Sequence, residues 1–242
     1  MKHLAALTIV TAACARPSPE PTTASAMRHP HHAPHSHDAH PHHHGAGHFQ
    51  DPAQWARIFD DPARDAVIAP DRVIAAMALA PSMTVVDLGA GTGYFSVRLA
   101  RAVPAGRVIA TDIEAPMLRY IEARAQREGL NNLSTALGTE DSPGLAPGSV
   151  DRVLVVDVWH HVAHRVAYAR RLAEALTPDG RVFIVETRPD AEVEGPPPAM
   201  RLRPETICQE LAEAGFEARA LGLSLAHHVV VEARRAQGSA GR

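Results

Sequence analysis

The strongest constraint on the fold is a change of periodicity around residue 89. Met83 to Leu88 is a short apolar, β-branched run that meets Gly89-Ala90-Gly91-Thr92-Gly93, after which Tyr94 to Ala102 has helical spacing. That order reads as strand, glycine turn, helix. Glycine permits positive φ and lets a ligand approach the backbone, while the next helix offers free N–H groups to an anionic group. In open α/β sheets, ligands bind beyond the carboxyl ends of the strands where strand order reverses, and the first such turn normally lies there. The competing reading is a turn that serves packing alone. Three glycines in five residues directly after a strand weigh against it.

Strand and helix patterns alternate along the rest of the chain. Strands are expected at Arg107 to Thr111, Leu133 to Leu137, Val150 to Val156 and Arg181 to Val185. Helices are expected at Pro70 to Leu79, Ala115 to Arg127, Ala163 to Leu176 and near Pro204 to Ala214. Asp51-Pro52 starts a short capped helix, and Thr177-Pro178-Asp179-Gly180 is a turn with Pro second and Gly fourth. Phe216 to Leu221 and His228 to Glu232 read as a terminal hairpin. Strands alternating with helices imply a doubly wound, mostly parallel α/β sheet.

Composition bounds the domain count and the partners. The chain has 242 residues, 45% hydrophobic and 21% charged, with formal net charge -3, enough for one self-sufficient core. Without a run of Lys or Arg there is no general attraction to phosphate backbones, so nucleic acid is not expected as a partner. Residues 1–14 have a short basic start, an apolar run and small residues, like a secretory leader. Val10-Thr11-Ala12-Ala13-Cys14 resembles a bacterial lipoprotein box, apart from Thr11, and offers membrane attachment through Cys14. Residues 15–48 are a Pro- and His-rich linker. Its ten histidines between His29 and His48 are either a weak metal-capturing tether or a solvated spacer. One folded domain is expected over 49–235, with a disordered tail at 236–242.

Asp112 ends the second strand nineteen residues after Gly93. A carboxylate there can accept both hydroxyl hydrogens of a ribose, or it can cap the helix that starts at Ala115. The dinucleotide fingerprint requires Gly or Ala at position 94, where this chain has Tyr94, so a nicotinamide enzyme is disfavoured. Val85-Val86-Asp87-Leu88-Gly89-Ala90-Gly91-Thr92-Gly93 instead resembles motif I of the class I S-adenosylmethionine-dependent methyltransferases, with its acid two residues before the first glycine. Gly148-Ser149-Val150-Asp151 is similar to that family's segment before the fourth strand. The resemblance runs from about Asp51 to Glu232 and implies a seven-stranded Rossmann-like sheet binding S-adenosyl-L-methionine. The general appearance is closest to small-molecule enzymes of the quinone-biosynthesis type.

The resemblance also implies roles. Gly89, Gly91 and Gly93 would face the methionine part of the cofactor, Asp87 its amino group and Asp112 its ribose. Ile113 and Met117 would flank the adenine, or are helix core. Relatives often carry Asp after the glycine at position 138; here Thr139, then Glu140, stands there. At the end of the fourth strand, Asp157, His160 and His161 cluster at the expected mouth, where a neutral-range imidazole suits general-base work. One of these histidines can equally be a cofactor wall or a helix cap. Trp159 either shapes an apolar acceptor pocket or is core, and Arg201 and Arg203 either clamp a charged acceptor or are solvated loop residues. An exported methyltransferase conflicts with cytosolic supply of the cofactor. The alternative is an exported, non-catalytic nucleoside- or metal-binding protein on the same fold.

Overall fold

A computed structural model describes residues 49–193 and 195–236. The leader, the His-rich linker and the last six residues lie outside the described residues. Within them, helices α1 (Pro52–Phe59), α2 (Arg64–Ile68) and α3 (Pro70–Ala76) precede the sheet. There follow β1 (Thr84–Leu88), α4 (Tyr94–Ala102), β2 (Arg107–Asp112), α5 (Ala115–Glu128), β3 (Leu133–Leu137) and β4 (Val150–Val156). A 3-10 turn (Trp159–His161), α6 (Arg165–Ala175), β5 (Leu176–Thr187), a second 3-10 turn (Pro198–Met200), α7 (Pro204–Glu213), β6 (Phe216–Leu221) and β7 (His228–Arg235) complete the order.

The sheet order is β3-β2-β1-β4-β5-β7-β6. Strands from β3 through β5 pair in parallel, and β7 runs antiparallel to both β5 and β6. Strand order reverses between β1 and β4, which opens a crevice at their carboxyl ends. The central strands are buried on both faces, as their continuous apolar sequences require. Val153 and Val155 of β4 face a core shared with α6 and α7. Leu154 faces the opposite core, built with α3 and α4.

Local differences from expectation have physical causes. The Thr177–Gly180 turn is a bulge inside β5, since Val150 pairs with Leu176 and Arg152 with Arg181. Asp151 staples this bulge, accepting from the Thr177 hydroxyl at 3.1 Å and the Thr84 N–H at 2.8 Å. Helix α3 stops at Ala76 because Ala78 adopts φ 48°, a left-handed conformation that ends a helix. The hairpin strand β7 runs on to Arg235, since antiparallel pairing with β6 continues to its end. Between β3 and β4 there is no helix, only a bridge from Thr139 to Ser142. Phe183 sits at the middle of the sheet with 1% exposure. Phe183→Ala is expected to lower unfolding free energy by about 3–5 kcal/mol, measured by urea titration.

Candidate active site

The crevice holds a cavity of about 220 Å³ bordered by the glycine turn and the ends of β1, β2, β3 and β4. Gly89, Gly91 and Gly93 have φ of 69°, 55° and 82°, a region closed to most side-chain-bearing residues. At Gly89 the demand is double, because a Cβ would lie 2.5 Å from Cγ2 of Val158. The turn is also tied to β2: Gly89 and Ala90 donate to the Thr111 carbonyl at 2.8 and 3.0 Å, and Gly91 donates to Oδ2 of Asp112 at 2.9 Å.

Asp87 is 3% exposed and accepts the Ser96 hydroxyl at 2.6 Å. Burial pushes its carboxyl from the ordinary 3.8 up to about 6, helped by the nearby charge of Asp112 and opposed by the Ser96 bond. Asp112 lines the cavity, and its second oxygen accepts the Glu114 N–H at 2.9 Å. It therefore does not cap α5: Glu114 occupies the cap position and makes no side-chain capping bond. Burial also raises the Asp112 carboxyl, against the two N–H bonds. A carboxylate has about four acceptor sites, so two N–H bonds leave room for two sugar hydroxyls. Ile113, Met117, Thr139 and Glu140 line the same cavity.

The three titratable residues after β4 do not converge. Asp157 lines the cavity with φ 52°, but its oxygens are taken by the Thr187 hydroxyl at 3.0 Å and His228 Nε2 at 3.2 Å. Burial opposes its charge, yet His228, Arg64 and Thr187 together hold it below the usual carboxylate range. It is a poor proton acceptor. His160, expected at the mouth, is turned inward. Its Nδ1 lies 2.7 Å from Oε2 of Glu186, and its N–H donates to the other Glu186 oxygen at 3.2 Å. His161 is exposed and borders the cavity, its ring 4.2 Å from that of His160 and edge-on to Phe49 at 6.4 Å.

Two further expectations fall to packing. Trp159 is fully buried, donating to Glu210 at 3.3 Å, so it is core. Arg201 spends its donors on the carbonyls of Pro196, Ala191 and Val193, which brace the Pro-rich connector and leave no clamp for an acceptor.

Sequence patterns missed Arg64, on the unexpected helix α2. Its guanidinium lies 4.7 Å from the Tyr94 ring centroid and 5.4 Å from that of Phe59, and donates to the Phe59 carbonyl at 3.0 Å. It lines the cavity, burial lowers its pKa, and it has no ion pair among the described residues. Asp60-Asp61-Pro62 ahead of it was the available signal for a helix start. Phe49, Phe59 and Tyr168 also border the cavity.

The crevice lies at the switch point of a parallel sheet, between a glycine turn and an acid that ends β2. Residues 85–180 match the family model described as a methyltransferase domain. Nocamycin O-methyltransferase of Saccharothrix syringae is 34% identical over 122 residues, 50% of this chain and 41% of that protein. A ubiquinone biosynthesis O-methyltransferase of Xanthomonas campestris is 29% identical over 114 residues, 47% of this chain and 46% of that one. The chain thus spans less than half the length of these two relatives. A solved methyltransferase structure from Aquifex aeolicus superposes with TM-score 0.70 at 24% identity, covering 76% of this chain and 97% of that one, a likeness of fold. Residues 85–180 thus match a methyltransferase domain, and the fold around them is like that of a solved S-adenosylmethionine-dependent methyltransferase.

The buried acid yields a pH prediction. Between pH 3.8 and about 6 the folded protein keeps a proton on Asp87 that the unfolded chain has released, so ionising Asp87 costs stability as pH rises. Ligand-free Asp87→Asn should gain about 2 kcal/mol on the wild type between roughly pH 4.5 and 7.5. Urea unfolding at both pH values checks this, and a constant difference would refute it.

Proposed function

We propose that the protein transfers a methyl group from S-adenosyl-L-methionine to a small-molecule acceptor by in-line displacement. The observation that carries this reading is the match between the cavity's charged groups and the parts of that cofactor. Asp87, largely ionised above about pH 6, suits an ammonium group, directly or through water. Arg64, desolvated and with no carboxylate within ion-pair distance among the described residues, suits the methionine carboxylate. Asp112 suits the ribose hydroxyls, Ile113 and Met117 the adenine faces, and Thr139 and Glu140 its edge. The backbone of Gly89 and Gly91, which borders the cavity, would lie along the methionine part, while Gly93 packs against Ile121 behind them.

When bound, the cofactor supplies an activated methyl on a sulfonium. The chain's own work is alignment, which can be worth effective molarities of about 10⁵ to 10⁸ M. His161 is the group in reach of an acceptor proton, which its ring nitrogen takes as the acceptor attacks. Asp157 and His160 act instead as braces: Asp157 ties the turn after β4 to β5 and β7, and Glu186 holds His160. Phe49, Val158 and Val162 give the mouth an apolar lining suited to a small organic acceptor. The relatives named above for nocamycin and ubiquinone biosynthesis support that acceptor class.

Calorimetry with S-adenosylhomocysteine tests the cofactor assignment. The wild type should bind at micromolar levels and Asp112→Asn at least about thirtyfold more weakly, the scale of two hydrogen bonds to a charged group. Binding of NADH instead, or an unchanged Asp112→Asn, rules the reading out. In an acceptor screen, His161→Ala should lose turnover while keeping homocysteine affinity; equal turnover removes His161 as the base.

The proposal extends to the leader. Acylated Cys14 would tether the domain to a membrane, and the histidines of 15–48 would capture divalent metal weakly. The mass of the mature N-terminus checks the tether: an unmodified Met1 start excludes it. Zinc titration of the full chain against one lacking 15–48 checks the capture, and equal uptake excludes it.

A further inference from the structure

Tyr168, on the first turn and a half of α6, is a buried polar group that the proposed chemistry leaves without a task. It is 7% exposed, its ring belongs to the core around β4, and it packs edge-on against Trp159 at 6.4 Å. Its ring is sealed in the core while its hydroxyl is open to the cavity, where a partner can reach it. Tyr94, the other buried tyrosine at the cavity, donates its hydroxyl to Asp65. The Tyr168 hydroxyl makes no hydrogen bond to any described residue.

Its surroundings indicate what it awaits. Tyr168 borders the cavity together with Asp112, Gly138 and Thr139. Since the β3–β4 connection carries no helix, α6 contributes to the wall there. Burial, with the charge of Asp112 adding to it, raises the phenol well above its ordinary value, so it is a neutral O–H donor at any working pH. An unpaired donor and an acceptor-only carboxylate thus face the same space. A sugar carries both complements, ether and hydroxyl oxygens that accept and hydroxyl hydrogens that donate. The methionine end of the cavity is served separately by Arg64 and Asp87.

The geometry points to Tyr168 as a second ribose-binding residue: its hydroxyl donates to a sugar oxygen while Asp112 accepts from the sugar hydroxyls. This inference rests on the cofactor reading above.

Tyr168→Phe tests it, because the substitution removes the hydroxyl and keeps the ring that packs against Trp159. Calorimetry should show S-adenosylhomocysteine binding about three- to tenfold more weakly, the scale of one neutral hydrogen bond. The melting temperature without ligand should stay within about 1 °C of the wild type, while the rise produced by a fixed homocysteine concentration shrinks. Affinity within about 1.5-fold of the wild type overturns the assignment, and so does a lowered ligand-free melting temperature with affinity unchanged. Failure of the wild type itself to bind homocysteine overturns the underlying cofactor reading, a different outcome from equal binding by the two proteins.

Discussion

The site depends on one short hydrogen-bonded span, in which Gly91 and Glu114 both donate their N–H groups to the Asp112 carboxylate. It joins the turn after β1 to the turn after β2 across the ends of two parallel strands. Neither turn has side-chain capping of the helix that follows it. A buried carboxylate costs free energy unless hydrogen bonds compensate, and here the compensation comes from the backbone whose shape it fixes. The acid proposed to read the ribose thus also shapes the space the ribose would occupy.

Other buried charges around the cavity obey the same accounting with different outcomes. Asp157 gains enough from His228, Arg64 and Thr187 to stay ionised despite burial. Asp87 has a serine hydroxyl as its hydrogen-bond partner, and burial lifts its carboxyl to about 6, so its charge is held less firmly. Arg64 touches rings and a carbonyl, with the carboxylates of Asp157, Asp60 and Asp87 acting on it from beyond ion-pair distance. Such incompletely paired groups are unfavourable by themselves, and the proposed zwitterionic ligand would relieve them together.

The central strands were legible because buried parallel strands need continuous apolar runs, and β4 was found at its observed limits. The glycine turn was legible because few other residues take its φ values. Helix α2, at five residues, is too short for periodicity to reveal, and with it Arg64 stayed hidden. Tyr168 was invisible for another reason: a tyrosine at helical spacing reads as core, and only tertiary packing shows a hydroxyl left over. His160 and His161 were inseparable in sequence, yet successive residues of a 3-10 turn point about 120° apart, so one reaches Glu186 and the other the mouth. Trp159 and Arg201 are drawn into packing by Glu210 and by connector carbonyls that lie far from them or unmarked in sequence.

The contact between Gly89 and Val158 has a mechanical consequence. With no side chain between them, the first glycine of the turn after β1 sits against the valine that begins the turn toward His161. Neither segment has slack to shift without pushing the other. If both halves fill as proposed, the ligand that entered first would press through Gly89 and Val158 on the segment that carries His161.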